Sequence, residues 1–164
     1  MIALVSTLTS PMVRKLGLVA SLLILLGSFG GGSLQKRNSL LSAANLDFLS
    51  FGHGAAFSNV TLWLGTVLFV VAWVLMGKLV IDKVIGADYV RRTLCVWLVP
   101  LVGAAPIMSR DVYSYLMQGT LLRDGLNAYT QGPASNPNQI LFEVSHDWRN
   151  TTTPYGPLHL WLGE

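Results

Sequence analysis

Apolar residues fall along this chain in three long runs separated by short charged stretches. The first covers residues 16–32, behind the basic pair Arg14 and Lys15, and ends in Gly30, Gly31 and Gly32. The second covers residues 60–77, carries no charge before Lys78 and contains Trp63, Phe69 and Trp73. The third covers residues 93–108, behind Arg91 and Arg92, with Pro100 and Pro106 inside it. Each approaches the roughly 20 residues that cross a hydrocarbon layer at about 1.5 Å per residue, so the pattern predicts three membrane-spanning helices. The short, proline-broken third run suits a helix packed among others. The first run could instead be a signal peptide, but no A-x-A site follows it, so an uncleaved helix is expected.

After Met108 the pattern changes. Residues 109–157 are polar and rich in Asn and Pro, and then Leu158, Leu160, Trp161 and Leu162 resume an apolar pattern before Glu164. The expected organisation is therefore three transmembrane helices within 1–108, an outer loop at 109–157 and the start of a fourth helix at 158–164. The expected fold class is all-α, with polytopic transmembrane helices and an interfacial amphipathic helix in the outer loop. A fourth helix without its remainder suggests a truncated product or a fragment.

Composition agrees. The chain has 164 residues, 52% hydrophobic and 12% charged, with a mean hydropathy of +0.52. A soluble domain carries about a quarter of its residues as Asp, Glu, Lys and Arg, and half that charge does not cover a wetted surface. The net charge of +3 is spread in pairs between apolar runs, which argues for topology and against nucleic acid. With the N-terminus inside, Arg14, Lys15, Lys78, Lys83, Arg91 and Arg92 fall on the cytoplasmic side. Only Lys36 and Arg37 fall in the first outer loop, so residues 109–157 face outward from a plasma membrane. Cys95 is the only cysteine and has no disulfide partner within the chain.

Candidate chemistry gathers after residue 108. In the run Ser109-Arg110-Asp111-Val112-Tyr113-Ser114-Tyr115-Leu116-Met117-Gln118-Gly119, a helix would align Asp111, Ser114 and Gln118 on one stripe. Val112, Tyr115, Leu116 and Leu122 would form the opposite, apolar stripe, and the helix would lie along the interface with Ser109 as its N-cap. Asp111 then has two readings: a helix-end acid paired with Arg110 or Arg123, or a general base for a hydroxyl acceptor. Trp148, Tyr155 and Trp161 are either a sugar-stacking platform or interfacial anchors, and Tyr113 and Tyr129 have the same alternatives. His146 and His159 could meet a phosphate or metal, and Asp111 and Asp124 could share a cation, but no diagnostic ligand spacing supports a metal. The three helices contain essentially no ionisable group at mid-membrane depth, which weighs against a transporter fragment. A non-catalytic scaffold remains the alternative to an enzyme.

Residues 110–119, followed by Leu122-Arg123-Asp124-Gly125, resemble the first outer loop of GT-C type membrane glycosyltransferases that use polyprenyl-phosphate sugars. Residues 143–150, Glu143-Val144-Ser145-His146-Asp147-Trp148-Arg149-Asn150, and Thr153-Pro154-Tyr155-Gly156-Pro157 sharpen the resemblance. They are similar to actinobacterial polyprenyl-phosphomannose-dependent α-(1→6)-mannosyltransferases, which build the mannan core of lipomannan. One departure is Ala128 in Gly125-Leu126-Asn127-Ala128-Tyr129, where the family usually has Pro. The resemblance implies Asp111 as catalytic base. It implies Arg149, with Arg123 behind it, as a partner for the leaving phosphate, unless Arg149 pairs with Asp147 or Glu143. Tyr115, His146, Trp148 and Tyr155 become candidate substrate contacts. It implies no cofactor, and as partners a lipid-linked sugar donor, a glycolipid or mannan acceptor and the bilayer. The family has roughly a dozen helices, so this chain alone is expected to be inactive. The sugar, mannose against arabinose, rests on the resemblance alone.

Overall fold

A computed structural model describes residues 9–34 and 39–163. Lys36 and Arg37, which the orientation argument uses, lie outside the described residues. The described chain is helical with no strand, and it divides into two compact units, residues 1–107 and 108–164.

The first unit is built on α1 (Ser10–Gly31) and α3 (Gly52–Ile81), joined through α2 (Ser39–Ala43) and a 3₁₀ turn at Asp47–Ser50. Both long helices are apolar and long enough to cross a membrane. Each starts before its apolar run, at Ser10 and Gly52, taking in the polar residues ahead of it. Pro11 opens α1, where its missing N–H costs nothing. The buried face of α1 is a stripe of small residues, Gly17, Ala20, Ser21, Gly27 and Ser28, with Val13 and Ile24. Small residues let two helix backbones approach closely. At Gly65 of α3, an added Cβ would fall 2.8 Å from the Ile24 nitrogen, so only glycine fits that crossing. The rest of α3 turns apolar side chains outward, among them Phe57, Val60, Trp63, Val67, Trp73 and Val74. A water-exposed helix does not present such a surface; lipid or further protein would cover it.

α4 (Ala87–Val102) is the third element, and it differs from the expected 93–108 run. It starts six residues earlier, after Gly86, and ends at Val102 with Pro100 in its last turn. At 16 residues it is roughly 24 Å long, short of the roughly 30 Å hydrocarbon layer. Gly103 and Ala104 N–H groups close onto the carbonyls of Pro100 and Leu101, and Pro106 disfavours helix at Ala105. Trp97 is fully buried; its indole N–H donates to the Arg14 carbonyl at 2.9 Å and its ring meets Phe69 edge-on. The Ser28 hydroxyl donates to the Leu25 carbonyl and accepts from the Ala105 N–H at 2.9 Å, tying the chain after α4 to α1.

The second unit is organised around α5 (Asp111–Arg123), with 3₁₀ turns at Pro133–Ser135, Gln139–Phe142 and His146–Trp148, and the short α6 (Pro157–Gly163). Here the expected stripes are corrected. The buried residues of α5 are Tyr113, Ser114, Met117, Gln118, Gly119, Thr120 and Leu121, whereas Leu116 is exposed. α5 is therefore enclosed by its own loops and does not divide into one polar and one apolar face. Tyr113 and Met117 pack with Val144, Ile140 and Leu141, and Leu121 packs with Ala128 and Leu160. Arg110, not Ser109, occupies the N-cap position; the Ser109 hydroxyl accepts from the Asp111 N–H at 3.1 Å instead.

The end of α5 follows from one glycine. Gly125 has φ +77, which lets its N–H reach the Leu122 carbonyl and the Leu126 N–H reach the Leu121 carbonyl. This paired closure is a Schellman motif, and Leu126 packs onto Leu121 as that motif favours. Ala128 at the departure from the family pattern is buried, and its carbonyl accepts from the Thr153 N–H at 2.9 Å. α6 is held against α5 at Gly119, where an added Cβ would sit 2.1 Å from the carbonyl carbon of Gly163.

Candidate active site

A cleft of about 410 Å³ opens between one side of α5 and the returning segment 148–155. α5 contributes Asp111, Ser114, Tyr115 and Gln118, and the facing wall contributes Trp148, Thr151, Thr152, Pro154 and Tyr155. That wall is fixed by backbone bonds. The Ala134 N–H donates to the Arg149 carbonyl at 2.7 Å, and the Thr153 N–H donates to the Ala128 carbonyl.

Asp111 occupies the first turn of α5, where the helix dipole favours an anion. It is half-buried and, among the described residues, has no ion-pair partner. Both arginines that could have neutralised it point elsewhere. The Arg110 guanidinium donates to the Glu143 carbonyl at 2.8 Å, pairs with the Glu143 carboxylate, and lies over the Tyr113 ring at 5.5 Å. Arg123 pairs with Asp124 at 2.9 Å, twelve residues and roughly 18 Å along the helix from Asp111. The helix-end ion pair considered for Asp111 is therefore not formed.

Beside Asp111, three rings make an edge-to-face cluster. Tyr115 meets Tyr155 at 5.5 Å between centroids and His159 at 5.1 Å, and Tyr155 meets His159 at 4.8 Å. The Tyr115 and Tyr155 hydroxyls lie 3.3 Å apart. That hydrogen bond, followed by partial desolvation and the negative charges of Tyr155 and Asp111, raises the Tyr115 phenol above its ordinary value. Tyr115 thus stays a neutral hydroxyl throughout the physiological range. His159 Nε2 stands 3.1 Å from Gln118 Oε1.

The structure brings Asp111, Tyr115, Trp148 and Tyr155 to one cleft and separates the rest. Arg149 is half-buried, with its Nε donating to the Val144 carbonyl at 3.3 Å. The salt bridge to Asp147 or Glu143 is not formed, and Arg149 does not line the cleft. His146 is exposed in its 3₁₀ turn, outside the cleft, and Arg123 is at the far end of α5. Trp161 is exposed, while Tyr129 lines a second, apolar hollow with Leu122, Leu126 and Leu160. Asp124 ends α5 opposite Asp111, roughly 20 Å along the axis, so the two carboxylates do not share one cation. Among the described residues, no three His, Cys, Asp or Glu side chains converge on a cation position. The sequence does not single out Ser114, Gln118, Thr151 and Thr152 as site residues, although all four line the cleft. The stripe of Asp111, Ser114 and Gln118 was the signal for two of them.

Asp111 is thus an acid without an ion-pair partner among the described residues, set among aromatic rings and hydroxyl-bearing side chains. Residues 14–164 match the family model described as alpha-(1->6)-mannopyranosyltransferase, N-terminal domain. The chain belongs to that family. It is 55% identical over 150 residues to alpha-(1->6)-mannopyranosyltransferase A of Corynebacterium glutamicum, covering 87% of this chain and 31% of that protein. It is 43% identical over 143 residues to the protein of the same name from Mycobacterium tuberculosis, covering 87% and 28%. With alpha-(1->6)-mannopyranosyltransferase B of C. glutamicum it shares 30% over 161 residues, covering 90% and 26%. The chain spans about a third of the length of the curated relatives it matches. No solved structure matches it.

Proposed function

We propose that this segment supplies the acceptor-activating site of a membrane mannosyltransferase that acts in assembly of the lipomannan and lipoarabinomannan core. The reaction moves mannose from a polyprenyl-phosphate donor to the 6-hydroxyl of an α-(1→6)-mannan acceptor. The observation that carries this reading is the Asp111 carboxylate, unpaired at the mouth of an aromatic-walled cleft. A carboxylate not tied to a cation can accept a proton, whereas one locked to arginine cannot do so cheaply. Asp111 takes the proton from the acceptor O6, and O6 attacks the anomeric carbon. The bond from that carbon to the phosphate oxygen breaks, and polyprenyl phosphate leaves with the electron pair. A β-linked donor gives an α product by inversion. Arg149, which follows Trp148 of the cleft wall, is the cation offered to the departing phosphate. No metal or cofactor is assigned a step.

Family membership and the two long apolar helices support a membrane enzyme. The placement of Asp111 on the outer face with the N-terminus inside rests on the basic-residue bias and on α4 making a third crossing. The test is mannose transfer in membranes carrying the full-length enzyme that contains this segment, using labelled polyprenyl-phosphate mannose and a short α-(1→6)-mannoside. Asp111→Asn is expected to lower kcat by two or more orders of magnitude. Retained activity would place the base elsewhere, and a wild type inert with mannosyl donors would overturn the transferase reading. The 164-residue chain by itself is expected to show no turnover.

A further inference from the structure

Ser114 and Gln118 are the two nearly buried polar side chains of the cleft that the reaction above leaves without a task. Ser114 is 4% exposed and its hydroxyl has no hydrogen-bond partner. A serine within a helix ordinarily donates to the carbonyl three or four residues back, as Thr120 does to Met117. Ser114 keeps both its donor and its acceptor capacity, at a position that lines the cleft one turn beyond Asp111. Gln118, 5% exposed, follows one turn further. With the imidazole proton on Nε2, His159 donates to the Gln118 carbonyl and fixes the amide's orientation. The amide nitrogen then has no acceptor among the described residues. Buried polar groups are almost always matched, so the unmatched Ser114 hydroxyl, with the open Gln118 amide nitrogen one turn away in the same cleft, marks a ligand that supplies the partners.

We infer that Ser114 and Gln118 read ring hydroxyls of the acceptor sugar, and that His159 is a positioning residue that holds Gln118. This rests on the transferase reading and extends it to substrate recognition. The chemistry suits a pyranose: its hydroxyl edge meets Ser114 and Gln118, while its carbon face lies against the aromatic wall of Tyr155 and Trp148. The acceptor is favoured over the donor sugar because Asp111 must hydrogen-bond the hydroxyl it deprotonates. Ser114 and Gln118 rise roughly 4.5 and 10.5 Å along the helix axis from Asp111. Ser114 therefore meets the ring whose hydroxyl reacts, and Gln118 meets the ring behind it.

The test uses the full-length enzyme with Ser114→Ala, Gln118→Ala and His159→Ala. Acceptor KM, donor KM and kcat are measured with polyprenyl-phosphate mannose, alongside equilibrium dialysis of labelled α-(1→6)-mannobiose without donor. Ser114→Ala and Gln118→Ala are expected to raise acceptor KM and mannobiose Kd about tenfold, with donor KM within about twofold. His159→Ala should repeat the Gln118→Ala effect and add little to it in the double variant. The Tm of Ser114→Ala should be unchanged or higher, since alanine removes an unmatched buried hydroxyl. A purely structural serine would leave acceptor affinity alone. Unchanged acceptor KM in both α5 variants, with an active wild type, overturns the inference and leaves the transferase reading standing. A rise in donor KM instead overturns the acceptor assignment, and a wild type that neither binds mannobiose nor transfers mannose overturns both.

Discussion

The two units place their polar groups differently: among the described residues each buries one unmatched hydroxyl, Thr93 in the first and Ser114 in the second, but of the two only Ser114 lines the cleft. In the first, most hydroxyls and the indole N–H inside the helix pack are consumed by the chain itself: Ser21 bonds Gly17, Ser28 bonds Leu25 and Ala105, and Trp97 bonds Arg14, with the buried Thr93 hydroxyl the exception. Its outward surface is apolar, and its helices meet through small residues. In the second, a shorter helix is wrapped by proline-rich loops, one ion pair clamps its start, and polar side chains line a cleft, the Ser114 hydroxyl among them unmatched. The first unit closes nearly all of its hydrogen bonds within its own helices, Thr93 apart, as a helix without water beside it must. The second leaves groups open because a substrate can satisfy them. The contrast shows where to look for function in such a chain: at the polar atoms that folding did not use.

The sharpest way to break the second unit is at its helix crossing. Gly119→Val places side-chain atoms where the Gly163 backbone lies, and is expected to cost about 3 kcal/mol, at the upper end of overpacking effects. Thermal unfolding would show it, and transfer activity should fall with it because His159 leaves Gln118. An unchanged midpoint would mean that α6 does not need this contact. Next comes the ion pair at the start of α5. Glu143→Gln leaves Arg110 partly buried without its charge partner, for a loss of about 2 kcal/mol, less than a fully enclosed pair because Arg110 is 30% exposed. If Arg110 then turns to Asp111, kcat should drop more than stability explains, which a kcat-against-Tm comparison separates.

In the first unit, Trp97→Phe removes the indole bond to Arg14 while keeping an apolar ring, at a cost of about 1 kcal/mol. Its effect on acceptor KM should be nil, and a change there would mean that the contrast between the units is overdrawn. The smallest effect is expected at Asp124, which lies at the surface. Its bonds to Arg123 and Asn136 hold its carboxyl below the ordinary value of 3.8. A depressed folded value stabilises at pH above the unfolded value, and the gain is lost as pH falls through the folded one. Wild type should therefore be marginally more stable than Asp124→Asn at neutral pH. The two unfolding midpoints should converge as the pH drops well below 3.8.

Much of this was legible in the chain. All of residues 16–32 but Gly32, and all of 60–77, lie within the two long helices, and Asp111 opens the helix expected after Met108. The composition break at 108 coincides with the division between the two units. The third run was misjudged because hydropathy does not register where Pro100 and Gly103 stop the helix. The faces of α5 were misjudged because a stripe argument assumes one buried side. Tyr113, Met117 and Leu121 are buried by loops on sides that periodicity assigns to neither stripe. Arg149 and His146 flank the cleft wall in sequence without lining the cleft, because adjacency to Trp148 does not fix where a side chain points.

The sequence by itself determined that the chain has long apolar helices, that its polar chemistry follows residue 108, and that Asp111 heads the polar stripe. These depend on composition and on spacing along one helix, which are local properties. Only the tertiary structure decided that Arg110 and Arg123 turn away from Asp111. It also decided that Tyr155, Trp148 and His159 return beside α5, and that Ser114 ends buried without a partner. Those outcomes depend on contacts across 30 to 40 residues of loop, set by which backbones pack closely enough, at Gly119 and Gly163 above all.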